Sequence, residues 1–181
     1  MDARELIRPL YKPDTVRILL IGESLADDGR FFYCVDSNPK RISNIYRHTQ
    51  EAFSIVFGNK CGTGKQFLQF FEKLGFYLDD LCDEPVNHME EPERCKKRLE
   101  GIINLAPKLT KMHPLAVVVL MKKIESYVKE AMEKASIHPL LFSVPFPAYT
   151  NKNRRNYVQE LSVILRKLVH EKIVNIQSNN Y

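Results

Sequence analysis

The sequence VRILLIG, at residues 16–22, is a short apolar run without alternation, and a glycine ends it. Such a run is typical of a strand that is buried on both faces of a parallel sheet. The run LAVVVLM at residues 115–121 has the same character. Weaker strand patterns occur in FYLDDL at residues 76–81 and in LLFSV at residues 140–144. These four segments predict a sheet of four parallel strands.

Helical patterns lie between the predicted strands and after the last one. In the clearest pattern, apolar residues recur at helical spacing from Phe67 to Leu74, after a capping box of Thr63 and Gln66 and before a stop at Gly75. A further helix is predicted at residues 42–57, and apolar stripes predict helices around residues 95–106 and 124–135. The last predicted helix begins at a cap, Thr150 or Asn151, and extends to Leu168. Alternating strands and helices predict a three-layer α/β/α fold with a central four-stranded parallel sheet.

Composition indicates a single globular domain over residues 1–181. The chain is 44% hydrophobic and 27% charged, which is enough for one well-filled core. The four cysteines are scattered without a CxxC pair, so we expect reduced thiols, no metal and no cofactor. The N-terminal sequence MDARELIRPLYKPD is charged, and the longest apolar runs are too short to span a membrane. We therefore expect a monomeric cytoplasmic protein. A net charge of +5 favours an anionic partner such as nucleic acid.

Several chemically active side chains follow the predicted strands. In an open parallel sheet, ligands bind beyond the carboxyl ends of the strands. The first strand leads into Gly22-Glu23-Ser24 and the aromatic run FFY at residues 31–33, and the second ends at Asp79-Asp80. The fourth leads into PFP at residues 145–147 and the basic segment TNKNRRNY at residues 150–157. Carboxylates, aromatic rings and a basic rim at one edge are what a site needs to stack a base and hold a phosphate backbone.

These motifs carry a resemblance to a known family. ILLIGES followed by GRFFY resembles the first motif of the uracil-DNA glycosylase superfamily, where a strand runs into G-E-A-P-G, G-Q-D-P-Y or G-I-N-P-G and an aromatic residue follows. FYLDDLCDEPVN resembles the second strand and its polar loop, and VPFPAYTNKNRRNY occupies the place of the H-P-S-P motif and its basic segment. The order and spacing agree over residues 16–168. The closest branch is the one with G-E-A-P-G.

The resemblance implies roles for residues near the first two strands. The glutamate that activates water in the G-E-A-P-G branch falls on Glu23, and the acid or amide of other branches falls on Ser24. Gly22, which precedes Glu23, is expected to bind the base. The aromatic residue that stacks on the base falls on Phe32, with Phe31 or Tyr33 as alternatives if the register shifts.

Two other family positions are changed in this chain. Asp80 replaces the base-reading asparagine, so an ionised Asp80 would favour a base edge rich in donors, or Asp80 holds a proton of its own. Glu23 and Asp80, if close, would push one pKa upward. Val144 replaces the motif histidine, before the predicted base-binding residues Pro145 and Phe146.

Phosphate contacts are predicted at the start of the last helix, because helix N-termini and basic side chains both bind anions. The predicted DNA-binding residues are Tyr149, which would wedge into the duplex, and Lys152, Asn153, Arg154 and Arg155.

The sequence leaves three functions open. The first is a DNA glycosylase that hydrolyses the N-glycosidic bond of a damaged or deaminated base, with Glu23 and Ser24 at the catalytic position. The second is a noncatalytic or weakly active member of the same fold that binds nucleic acid or a base. The third is a nucleoside or nucleotide hydrolase outside DNA repair. Apart from the resemblance, Glu23 is most simply interpreted as a helix cap or the partner of an arginine.

Overall fold

The computed structural model describes residues 6–35 and 42–174. The predicted domain, residues 1–181, also includes segments outside these two ranges. Within them, the protein forms one parallel sheet of four strands in the order β2-β1-β3-β4. The strands are β1 (Ile18–Gly22), β2 (Phe76–Asp80), β3 (Ala116–Val119) and β4 (Leu140–Ser143). The four-stranded parallel sheet predicted from the sequence is confirmed.

Burial explains why two strands are easy to recognise in the sequence. Every residue of β1 and β3 is buried, since helices cover both faces of these central strands. The edge strand β4 is only partly buried, and Leu140 is 39% exposed. Its weaker apolar pattern follows from this position.

Five α-helices of ten or more residues lie in the described part of the chain. They are α1 (Asn44–Phe57), α2 (Gly64–Lys73), α3 (Glu91–Met112), α4 (Glu125–Lys134) and α5 (Asn151–His170). The hydroxyl of Ser43 caps α1 by accepting from the backbone N–H of Tyr46, and Thr150 caps α5 by accepting from Asn153. The predicted cap at Thr150 is confirmed.

The helices form a layer on each face of the sheet, as predicted. β2 and β3 lie on opposite sides of β1, so right-handed crossovers place α1 and α2 on one face and α3 and α4 on the other. α5 packs on α1, and α3 packs on α4. The chain therefore leaves the ends of β1 and β3 towards opposite faces. This switch point opens a crevice at the carboxyl edge of the sheet.

Two helix predictions need correction. Thr63 precedes α2, but its side chain makes no capping hydrogen bond, so the predicted capping box is absent. Gly62 and Gly64 on either side of it both have positive φ, and this entry turn does not place the hydroxyl over the first turn of the helix.

The second correction concerns the apolar stripe predicted on α3. Leu99 and Ile103 belonged to that stripe, yet they are 51% and 68% exposed. The buried face instead centres on Gly101, where a Cβ atom would lie 2.4 Å from the backbone oxygen of Leu81. α3 approaches the end of β2 through this glycine, which turns Leu99 and Ile103 outward. No helix among the described residues has the length and hydrophobicity needed to cross a bilayer.

Candidate functional site

A cavity of about 330 Å³ opens at the carboxyl edge of the sheet. Its walls come from the segments that follow β1, β2, β3 and β4, so the switch point of the fold creates it. Its described lining residues are Glu23, Ser24, Leu25, Ala26, Asp28, Arg30, Phe31, Phe32, Ser43, Asn44, Ile45, Leu78, Asp80, Asn87, Arg94, Met121, Phe146, Ala148 and Tyr149.

Glu23 lines this cavity as a buried carboxylate held by two arginines of α3. It is 8% exposed. Arg94 binds it through both oxygens, with Nε donating to Oε1 at 2.8 Å and Nη2 donating to Oε2. Arg98 Nε also donates to Oε1, at 2.7 Å. Burial alone would raise the pKa of Glu23, but the hydrogen bonds from Arg94 and Arg98 outweigh burial and lower it. Glu23 is therefore an ionised carboxylate of reduced basicity.

Arg98 links this carboxylate to the protein surface. Arg98 is 1% exposed, and its Nη1 donates to Glu91 at 2.7 Å. Glu91 in turn pairs with Lys123 at 2.8 Å. Arg98 Nη2 lies 2.6 Å from Glu23 Oε1, but without hydrogen-bond geometry. A chain of alternating charges thus runs from exposed Lys123 to the cavity wall.

The hydroxyl of Ser24 is hydrogen-bonded to two backbone groups. Its hydroxyl donates to the carbonyl of Leu25 at 3.1 Å and accepts from the backbone N–H of Val86 at 3.2 Å. These two bonds tie the segment after β1 to the segment after β2. Ser24 therefore holds the cavity wall in place rather than offering a free hydroxyl.

Asp80 lies at the end of β2 and pairs with Arg8, a residue far away in the sequence. Arg8 Nη2 donates to Asp80 Oδ2 at 2.6 Å, and Arg8 Nη1 binds Asp79. Burial raises the pKa of Asp80, and Arg8 opposes this only in part. Burial is the main cause of this rise, and Asp79 is the carboxylate that adds to it.

Gly22 and Asp80 are neighbours across β1 and β2. A Cβ atom at Gly22 would lie 2.5 Å from Asp80 Oδ1, so the glycine leaves room for the carboxyl. Gly22 itself and Pro145, both predicted to bind a base, are not among the described lining residues of the cavity.

The aromatic run after β1 divides between the cavity and the core. Phe31 and Phe32 line the cavity, although each is only 3% exposed. Tyr33, also predicted to bind a base, instead contacts β2: its hydroxyl accepts from the backbone N–H of Leu78 at 2.7 Å and donates to the Leu78 carbonyl at 3.1 Å. Its ring stacks on Tyr11. Tyr33 therefore covers the free edge of β2.

The predicted DNA-binding segment begins at the mouth of the cavity. Tyr149 lines the mouth, is 80% exposed and has a φ of 68°. Lys152 and Arg155 are exposed on the first turns of α5 and have no ion-pair partner among the described residues. Arg154 is exposed too, and contacts Asn151 at 3.3 Å. Asn153 contributes structurally, because its side chain donates to the Ala148 carbonyl at 3.2 Å.

Sequence reasoning missed the three arginines that set the charge of this site. Arg94 and Arg98 are four residues apart in a helix that begins at the carboxyl edge of the sheet, so their shared direction was available as a signal. Arg8 had no such signal, because only the folded chain brings it to Asp80. In the described ranges, no group of three or more histidine, cysteine, aspartate or glutamate residues could hold a metal ion.

Comparison of the chain with protein-family models and with curated proteins gave no match. The contacts described above are therefore the basis for assigning a function.

Proposed function

We propose that the cavity binds one nucleobase of a DNA strand while the basic start of α5 binds the neighbouring phosphates. The chain would then be a divergent, noncatalytic or weakly active member of the uracil-DNA glycosylase superfamily, as its motifs suggest. The observation that carries the proposal is that residues 148–152 connect the cavity wall directly to the basic start of α5. Ala148 and Tyr149 line the cavity, and Lys152 already belongs to the exposed basic turn of α5.

The shape and lining of the cavity support a base as its occupant. Its volume of about 330 Å³ is at the small end of ligand cavities, which suits one base. Phe146 and Tyr149 both line it, with ring centroids 6.2 Å apart, so two aromatic side chains belong to its wall. Stacking on an aromatic ring contributes about 1–3 kcal/mol per base without regard to sequence.

The charge around Glu23 argues for binding rather than rapid catalysis. A general base works best when its pKa lies near the working pH, whereas the two arginines lower the pKa of Glu23. Their positive charge also opposes the positive charge that develops on a sugar when its glycosidic bond breaks.

Replacing both Lys152 and Arg155 with alanine is expected to weaken binding to single- and double-stranded DNA and to flatten its salt dependence. Each lost phosphate contact lowers the slope of log K against log salt by about 0.7–0.9, so the double variant should lose roughly 1.4–1.8. Fluorescence anisotropy of a labelled oligonucleotide across a salt series measures this slope.

The matched control is the double variant of Lys73 and Lys111. These exposed lysines end α2 and α3, which run into β2 and β3, so they lie at the opposite edge of the sheet. Their replacement removes the same charge and should leave the slope nearly unchanged. Equal losses in both double variants would contradict the proposal. Binding of nucleosides but not of DNA would instead favour a small-molecule hydrolase.

Hydrolysis of the N-glycosidic bond is a second candidate function, favoured by one observation. Glu23 Oε2 accepts only the hydrogen bond from Arg94 among the described residues, so a lone pair remains for a water molecule. We expect slow base release from an oligonucleotide panel containing deaminated and amino-bearing bases, measured as strand cleavage at abasic sites. A complete absence of release across the panel, with binding intact, would leave only the binding function.

A further inference from the structure

Arg94 contacts Glu23 with only one edge of its guanidinium group. An arginine carries five N–H donors in a planar fork. The side edge of Arg94, formed by Nε and Nη2, is directed at the two oxygens of Glu23. For Nη1 we find no hydrogen-bond partner among the described residues. The end edge, formed by Nη1 and the second proton of Nη2, therefore remains available, on a side chain that lines the cavity.

The Glu23 contact also fixes the direction of this free edge. A two-point ion pair holds the guanidinium plane, and Arg98 also binds Oε1 of Glu23. Arg94 lies close enough to Tyr149, at the cavity mouth, for the two side chains to interact electrostatically. A ligand that enters past Tyr149 would thus meet two parallel donors already oriented in space.

The charge of the cavity suits a neutral ligand rather than a phosphate. Its described lining includes three carboxyl groups, of Glu23, Asp28 and Asp80, against two guanidinium groups, of Arg30 and Arg94. Arg30 is also paired with Asp28 at 2.7 Å, and Arg94 with Glu23. An anion inside the cavity would gain little, whereas the unpaired Lys152 and Arg155 offer phosphate sites outside it.

We propose that Arg94 reads the O6 and N7 atoms of a 6-oxopurine base, with guanine as the common example. This inference rests on the proposed function and names its preferred base. O6 and N7 are adjacent acceptors that match the two parallel donors of an arginine fork. Adenine replaces the O6 acceptor with an amino donor, which would face another donor. Guanine is favoured over cytosine, since its larger ring system stacks more extensively on Phe146 and Tyr149.

The test uses single-stranded oligonucleotides of one length that differ at a single central base. The central base is guanine, 7-deazaguanine, adenine or cytosine in a background of abasic spacers. We expect guanine to bind on the order of tenfold more tightly than 7-deazaguanine or adenine, because each lacks one of the two acceptors. Equal affinity for guanine and 7-deazaguanine, or a preference for cytosine, would overturn the inference.

Arg94→Lys tests the residue itself. Lysine keeps the positive charge beside Glu23 but lacks the fork, so the ratio of guanine to 7-deazaguanine affinity should fall to about one. Arg98→Lys is the matched control, because it weakens the same carboxylate pair from outside the cavity and should retain most of the ratio. The ratio is measured within each variant and does not depend on the folded fraction. If Arg94→Lys does not fold, the four-base series on the unaltered protein still decides.

Failure of the inference can be told apart from failure of the proposed function. If all four oligonucleotides bind equally and binding still depends on Lys152 and Arg155, the base preference is wrong and DNA binding stands. If none binds with a steep salt dependence, the proposed function itself is wrong.

Discussion

Replacing Glu23 with glutamine is expected to lower the free energy of unfolding by about 3–5 kcal/mol, because it leaves a buried arginine without its counter-charge. Arg98 is 1% exposed, and its other carboxylate partner, Glu91, is largely exposed. Glutamine also presents an amide donor where two guanidinium groups donate. Urea unfolding of the variant and the unaltered protein near pH 7 measures the difference.

Glu84→Gln provides the control for this loss. Glu84 pairs with Lys97 at 3.2 Å, but its side chain is 64% exposed, so the same chemical change should alter stability little. Unchanged stability in Glu23→Gln would show that the arginine pairs contribute nothing to folding.

A fall in pH should reduce the difference in the free energy of unfolding between the unaltered protein and Glu23→Gln. The folded pKa of Glu23 lies below its ordinary value of 4.5. Its contribution to stability is therefore complete above 4.5 and is lost as the pH falls through the lowered value. The variant has no such group, so the two unfolding curves should converge in that acid range.

The expected instability changes how a catalytic role for Glu23 must be tested. Loss of base release in Glu23→Gln would not by itself identify a water-activating group, because the same change disturbs the fold around the cavity. Activity has to be compared with the folded fraction and with Arg98→Lys, which disturbs the same pair without removing the carboxylate.

Replacing Arg8 with methionine is expected to destabilise the protein strongly above neutral pH and less in mild acid. The substitution keeps an unbranched side chain of similar length beside Phe31 but removes the guanidinium that lies over the Phe31 ring. It also removes the only cation that binds the buried Asp80 at hydrogen-bond distance within the described ranges. Breaking such a pair costs about 3–5 kcal/mol while the carboxylate stays charged. Burial already raises the pKa of Asp80, and loss of Arg8 raises it further.

The sign of the pH dependence follows from the raised pKa of Asp80. A carboxyl group with a raised folded pKa opposes folding when it is ionised. This penalty begins to shrink as the pH falls through the folded value, and it is gone below the ordinary value of the unfolded chain. Thermal unfolding at about pH 8 and about pH 5 should therefore show partial recovery of Arg8→Met at the lower pH. Arg30→Met, which breaks a more exposed pair with Asp28, is the control and should show neither a large loss nor recovery. A loss that is the same at both pH values would contradict a charged, buried Asp80 as its cause.

Most of the fold could be predicted because the signals that define it are local. The unbroken apolar runs of β1 and β3 identify buried parallel strands, and the glycine that ends β1 marks where the chain must turn at the sheet edge. The cap at Thr150 is equally local, since its hydroxyl and the N–H group that it accepts from are three residues apart. On α3 the prediction failed only for the exposed Leu99 and Ile103, because Gly101 allows a backbone contact with Leu81 that no apolar pattern records.

The sequence by itself determined the order of strands and helices, and with it the carboxyl edge where Glu23, Asp80, Phe146 and Tyr149 meet. Only the tertiary structure decided the charge of that edge. Arg94 lies 71 residues from Glu23 in the chain, and Arg8 lies 72 residues from Asp80. Contacts over such separations have no local signal, because they depend on how α3 and the N-terminal segment pack against the finished sheet. Glu23 was visible from the sequence as a carboxylate in a cleft, and packing made it the partner of two arginines.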